Sequence, residues 1–194
     1  MRLQPNVIMP YVNISFAYNA LGMNDKAEQS LRKACEITPK SLEANLNLGL
    51  LLGEMGRLEE ADAFLRTAAE LDPSSPVAAY NLGIITAQSG PLKTAIEYLR
   101  RAWTLQPENA QYGYSLAFYL KQSGNVSDSV RVLERIIQSN KSHIDAIYLL
   151  GEIYLQEGRT EKTRELYQSA LVSRGLTPEE SDLLKSRLEA LPKD

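Results

Sequence analysis

Apolar residues return along this chain at the three-to-four-residue spacing of amphipathic helices, and the helical stretches come in pairs. The pattern predicts helices over roughly 8–21 and 24–37, then 42–55 and 58–71, and so on at the same interval to 144–157 and 160–173. Leu48, Leu52 and Leu65 mark the apolar stripes of one pair, and residues 34 positions away take their places in the others. Gly49, Gly83, Ala117 and Gly151 share one position, where a small side chain lets the partner helix come close. One such hairpin cannot bury its apolar face alone, so successive hairpins must stack.

The punctuation between the helices keeps the same period. Gly22, Gly56, Gly90, Gly124 and Gly158 fall 34 residues apart. At a background glycine frequency of about 7%, four further hits at one period and phase have odds on the order of 10⁻⁵. Ala27, Ala61 and Ala95 share the period, continued by Ser129 and Thr163, and so do Ala34, Ala68, Ala102 and Ala170, broken only by Ile136. The glycines stand where the first helix of each pair must end, and a left-handed residue there lets the orphan carbonyls find partners. Pro39, Pro73 and Pro107 close the second helices, because proline lacks an N–H and clashes with the preceding turn.

The order of these residues resembles the tetratricopeptide repeat (TPR), which runs W-x2-L-G-x2-Y, then A-x3-F, then P. The second unit carries it as Asn45-x2-Leu48-Gly49-x2-Leu52, Ala61-x3-Leu65 and Pro73, and the third as Ala79-x2-Leu82-Gly83-x2-Thr86, Ala95-x3-Leu99 and Pro107. The resemblance covers residues 8 to about 175 in five units, 8–41, 42–75, 76–109, 110–143 and 144–177. Departures come late, with Ala117 for the helix glycine, Lys141 for the proline, and Gly175 in the last proline position. What the resemblance implies is an all-α fold, an α-α superhelix of five helix-turn-helix repeats, with residues 1–194 forming a single domain.

The two ends read differently. Thr177 is a candidate N-cap, Pro178 suits the first helical position and Glu180 completes a capping box. Leu183, Leu184, Leu188 and Leu191 then predict a capping helix over 178–191, apolar inside and charged outside. At the other end, Leu3 and Pro5 fall in register with Ile37 and Pro39, as if LQPN were the last turn of a preceding unit. The expectation is a chain cut from a longer array, with an open apolar face that could drive self-association; the plainer alternative is a proline that opens the first helix, as Pro10 also could.

Composition narrows the function classes. The net charge is −3, from 21 Lys plus Arg against 24 Asp plus Glu, so nothing favours nucleic acid or an anionic membrane surface. The most apolar stretch, Leu48 to Gly53, is far too short to span a bilayer, and no basic segment followed by an apolar one opens the chain. The expectation is a soluble chain, the cytoplasm favoured, with the compartment of a longer parent left open.

Candidate chemistry is sparse. His143 and Cys35 stand 108 positions apart and make neither a metal site nor a Cys/His dyad, and no phosphate-binding GxxxxGK[ST] occurs. His143 reads as a surface loop residue. Gly49 and Gly53 match GxxxG but serve close packing here, and Glu59, Glu60, Glu179 and Glu180 suit the first turns of helices. No catalytic, cofactor or metal site is expected, and the chain reads as non-catalytic.

In the family the resemblance points to, the first helices of successive units line a concave surface that binds peptides. On those helices the fifth, ninth and twelfth register positions share a face. The fifth positions hold Val12, Leu46, Tyr80, Tyr114 and Tyr148, and the ninth hold Phe16, Leu50, Ile84, Phe118 and Glu152. Gln88, Gln122, Gln156, Lys121 and Asn19 would form a polar rim. The family commonly has asparagine at the ninth position, and four large apolar residues there point to a protein or peptide with apolar anchors; the alternative is that these side chains pack together and close the floor. A carboxylate clamp of the chaperone-binding kind is not expected, because Val12, Phe16 and Val77 stand where it wants polar or cationic groups, leaving only Asn47 and Asn81. The reading is a protein-binding module; the alternative is an accessory domain of a larger enzyme or multihaem protein, since the compact units weakly resemble tails appended to bacterial proteins.

Overall fold

A computed structural model describes residues 7–192. Among them are eleven α-helices and no strand: α1 (Met9–Ala20), α2 (Asn24–Ile37), α3 (Leu42–Glu54), α4 (Leu58–Leu71), α5 (Pro76–Ser89), α6 (Leu92–Leu105), α7 (Ala110–Gln122), α8 (Val126–Ser139), α9 (Ile144–Gln156), α10 (Thr160–Leu171) and α11 (Pro178–Glu189). The helices fall into two compact units that divide between Leu105 and Gln106. Within each unit, every helix packs on the one before and after it. Leu3 and Pro5, which carry the expectation of a missing repeat, lie outside the described residues; Pro10 occupies the first turn of α1.

Close approach within a hairpin depends on the predicted small residues. A Cβ on Gly49 would stand 2.6 Å from Leu65 Cγ, and one on Gly151 would stand 2.5 Å from the Tyr167 hydroxyl. Leu65 and Tyr167 therefore sit against bare backbone on the facing helix, and both are buried. Gly53 does a different task, its missing Cβ leaving room for Ile85 Cδ1 of α5. In the first unit the core runs from Ile8 and Val12 through Leu48, Leu52 and Leu65 to Leu82 and Ile85.

Four of the five periodic glycines end their helices as expected. Gly56 has φ +76, its N–H donates to the Gly53 carbonyl at 3.0 Å, and the Arg57 N–H donates to the Leu52 carbonyl at 2.9 Å. This paired closure is the Schellman motif, and it recurs at Gly22, Gly124 and Gly158. Gly90 departs from the set, with φ −135 and ψ −164. Pro91 follows it, and a residue before proline is pushed toward extended backbone. Gly56→Ala is expected to cost about 1–2 kcal/mol, the penalty of left-handed backbone for a residue with a Cβ. Nothing lies within 4 Å of the added methyl, so a shifted urea midpoint would report backbone alone.

Caps follow the sequence. Ser41 and Ser75 accept from the N–H groups of Ala44 and Ala78, and Asn109 accepts from Gln111 and Tyr112. Of the second helices, α2, α4, α8 and α10 lack side-chain caps but carry Asp25, Glu59, Glu60, Asp128 or Glu161 in the first turn, where a carboxylate meets the positive end of the helix dipole; α6 has no acidic residue there. At α11 the capping box forms in both directions: Thr177 Oγ1 accepts from the Glu180 N–H at 3.2 Å, and the Thr177 N–H donates to Glu180 Oε2 at 2.7 Å. Leu184 and Leu191 are buried and Leu188 packs beside them. Leu183 is exposed and leaves the expected stripe, because at one residue before Leu184 it points about 100° round the helix.

An ion-pair cluster ties the first hairpin to the second. Arg32 of α2 donates to Glu28 at 2.7 Å and to Glu60 of α4 at 2.6 Å, while Arg57 donates to Glu28 and Glu60, each at 2.7 Å. Burial would raise the Glu28 carboxyl, but the hydrogen bonds from Arg32 and Arg57 outweigh it and hold the group below its ordinary range. Glu60 is lowered by the same two arginines, Arg57 first. A carboxyl whose pKa falls on folding contributes stability present above its unfolded value and lost as pH drops through the folded one. Glu28→Gln is therefore expected to lower stability at neutral pH by no more than about 1 kcal/mol, as for partly exposed pairs. The difference from the native chain should vanish in acid, and urea melts at neutral and low pH would show it.

Candidate functional site on the first-helix faces

In the first unit, register positions expected on one face diverge in exposure. Val12 is 2% exposed and belongs to the core, whereas Phe16, one turn on, is 52% exposed. Leu46 and Leu50 are half-buried and pack onto the core, and Tyr80 and Ile84 are half-buried as well. Phe16 and Leu50, with Ser15, Asn19, Asn47 and Glu54, line a cavity of about 110 Å³. Leu50 and Glu54 also border a second cavity of about 280 Å³ with Asn81, Ile84 and Gln88. The two share a wall, so Phe16, Leu50, Ile84 and Gln88 lie along one furrow.

Its polar edge is partly pre-engaged. Asn19 Nδ2 donates to Glu54 Oε2 at 3.3 Å. Asn47 and Asn81 each donate to a carbonyl one turn back on their own helix, Glu43 and Val77, both at 2.8 Å. These bonds use the amide N–H groups and leave the side-chain oxygens as acceptors. Glu54 was not singled out from the sequence as a site residue; only the approach of α1 to α3 brings it beside Asn19.

In the second unit, Phe118 is 43% exposed and stands edge-on to Tyr119 at 5.2 Å. Tyr114, Phe118 and Tyr148 line a cavity of about 320 Å³ with Asp145, Leu149, Glu152 and Arg187. Arg187, from α11, lies over the Tyr148 ring at 4.3 Å, a cation–π stack that the sequence could not place because it joins residues 39 apart on different helices. Burial raises the Tyr114 hydroxyl's pKa, and the carboxylates of Asp145 and Glu152 add to the rise. Of the predicted rim, Lys121 pairs with Glu152 at 2.6 Å and Gln156 donates to the same carboxylate at 3.0 Å, while Gln122 is exposed.

His143 does more than the expected loop residue. Its Nδ1 accepts from the Ala146 N–H at 3.3 Å, capping α9, and its ring stacks beside Tyr114 with centroids 6.2 Å apart. Histidine is an uncommon N-cap, so nothing in the residue type pointed there. Burial pushes the Cys35 thiol up to about 11, leaving it protonated and a poor nucleophile at neutral pH. Among the described residues no group of three or more His, Cys, Asp or Glu side chains is placed to hold a metal, and no helix is long and apolar enough to cross a membrane.

Repeated hairpins, Schellman closures and small-residue contacts at one period are what a tetratricopeptide array requires, and two family profiles for the tetratricopeptide repeat match residues 18–83 and 114–180. The chain is a tetratricopeptide repeat protein. Among solved structures, a crystal structure of MamA shares 24% identity, with a TM-score of 0.78 over 90% of this chain and 97% of that one. YrrB, described as a TPR protein with an unusual peptide-binding site, shares 19% identity at a TM-score of 0.76, covering 95% of this chain and 92% of its own. PilF of Pseudomonas aeruginosa shares 22% at 0.73, covering 93% and 82%. At these identities the likeness is one of fold, and it places this TPR protein among all-α helical repeat superhelices. No curated protein matches the sequence.

Proposed function

We propose that this TPR protein binds other proteins through the first-helix faces of its repeats, each unit by itself taking apolar side chains of an amphipathic helix or extended segment, the first at Phe16 and the second at Phe118. The observation that carries the reading is the exposure of these two phenylalanines, 52% and 43%, at the same register position of the first and fourth repeats. Leu46 and Leu50, beside Phe16, are half-buried on the core, so they form a floor while Phe16 stands proud of it. An exposed aromatic over an apolar floor with a polar rim is the arrangement of a hot spot. The family supports a non-catalytic interaction role, and the side-chain oxygens of Asn47 and Asn81 are free to accept from a ligand's backbone N–H groups. The test is co-purification of partners by the native chain against the Phe16→Glu, Phe118→Glu double variant.

A further inference from the structure

Glu54 puts a carboxylate where the following repeats carry a neutral amide. Its register counterparts, at successive steps of 34 residues, are Gln88, Gln122 and Gln156. Glu54 lines both cavities of the Phe16 furrow, and no other charged residue lines either. Described hairpins stand on both sides of it, α1 with α2 before and α5 with α6 after, so its opening belongs to the stacked array itself. Its carboxylate accepts from Asn19 Nδ2 at 3.3 Å, and no lysine, arginine or histidine among the described residues pairs with it.

The helix itself gains nothing from this carboxylate. Glu54 is the last residue of α3, where a negative side chain meets the negative end of the helix dipole. The surroundings do not offset it. The three first helices of this unit, α1, α3 and α5, carry Glu43 and Glu54 and no lysine, arginine or histidine, so the surface they line is negative. The described lysines and arginines of the unit stand on α2, α4 and α6 or in the turns. Hydrogen bonding points the same way. Ser15 donates its hydroxyl to the Val12 carbonyl, and Asn19, Asn47 and Asn81 each have an amide N–H engaged. The furrow is left with acceptors, the Asn47 and Asn81 oxygens and the Glu54 carboxylate, which call for a positively charged donor. In the second unit Lys121 pairs with Glu152 at 2.6 Å, and the carboxylate there is already neutralised.

We infer that the first unit selects a protein segment carrying a lysine or arginine beside its apolar anchor, and that Glu54 receives that cation. The inference rests on the apolar-anchor reading of Phe16 and adds the charge of the ligand. The anchor meets Phe16, Leu50 and Ile84, and the cation reaches Glu54, which borders both cavities. Lysine and arginine stems are themselves apolar, so the same side chain covers the Leu50 wall on its way. A segment with aspartate or glutamate at that place meets an unneutralised negative surface and is rejected.

Selection from a display library of short random peptides tests this, run in parallel on the native chain, Phe16→Ala, Glu54→Gln and Glu54→Lys. Both Glu54 substitutions suit a helix end at least as well as glutamate does, so neither variant should melt below the native chain. Peptides kept by the native chain and lost with Phe16→Ala report this furrow, and they should be enriched in Lys and Arg over Asp and Glu. Glu54→Gln should return apolar peptides without that enrichment, and Glu54→Lys should favour acidic ones. A selected basic peptide should bind Glu54→Gln up to about fivefold more weakly than the native chain, the measure of an exposed ion pair. Its binding should also lose most of its salt dependence. Furrow peptides without a basic excess overturn the inference, and so does an excess that survives in both Glu54 variants. If no peptide is lost with Phe16→Ala, the apolar-anchor reading fails in this unit and takes the inference with it. That result is distinct from peptides that need Phe16 and ignore Glu54, which overturn the inference alone.

Discussion

Leu65→Ala is expected to lower folding stability by about 2–5 kcal/mol, the range for emptying a fully buried leucine site. Leu65 is 0% exposed and packs into the space where Gly49 lacks a side chain, with Cγ 2.6 Å from the ideal Cβ position. Gly49 has no side chain with which to refill the void, which argues for the upper part of the range. A fall in the urea midpoint with an unchanged slope would show lost stability rather than a changed unfolded state. The coupling can be read separately. Gly49→Ala alone should destabilise by overpacking, about 1–3 kcal/mol, and should do less harm, or help, beside Leu65→Ala. Additive effects would mean that the two residues do not share one space, and a loss under about 0.5 kcal/mol for Leu65→Ala would contradict the packing described here.

The Phe16→Glu, Phe118→Glu double variant is expected to lose partner binding while its helicity stays at the native level. Hot-spot side chains contribute about 2 kcal/mol or more each when truncated, and about 1.4 kcal/mol is tenfold in affinity, so each anchor should account for upwards of about 20-fold. A carboxylate at either position adds the cost of burying a charge against an apolar ligand surface. Because both side chains are well exposed in the free protein, neither change should disturb the core. The single variants divide the effect between the two units. Retention of partners by the double variant, with helicity intact, would remove the apolar-anchor reading and leave the family's general interaction role without an assigned surface.

How far the sequence reached can be judged at particular residues. Gly22, Gly56, Gly124 and Gly158 end their helices in left-handed backbone as the periodicity required, because a Schellman closure is settled within six residues of chain. The Thr177 capping box formed for the same reason. Gly90 broke the pattern through its neighbour Pro91, a local signal present in the sequence and outweighed by the period. Val12 and Phe16 show the limit on the site side. Their spacing of four puts them on one helix face, yet one is core and the other surface, since burial depends on which neighbouring helix stands opposite. Arg187 over Tyr148 and Glu54 beside Asn19 are contacts across helices and had no signature along the chain.

By itself, then, the amino-acid order determined the number, length and ends of the helices, the 34-residue period, and the small residues that let paired helices touch. These follow from backbone geometry and from side-chain spacing within a few turns. The tertiary structure alone decided which apolar residues remain exposed: Phe16 above the floor of Leu46 and Leu50, and Phe118 edge-on to Tyr119. Exposure is a property of packed surfaces, and the same leucine-like position is buried in one repeat and open in another according to the helix laid against it.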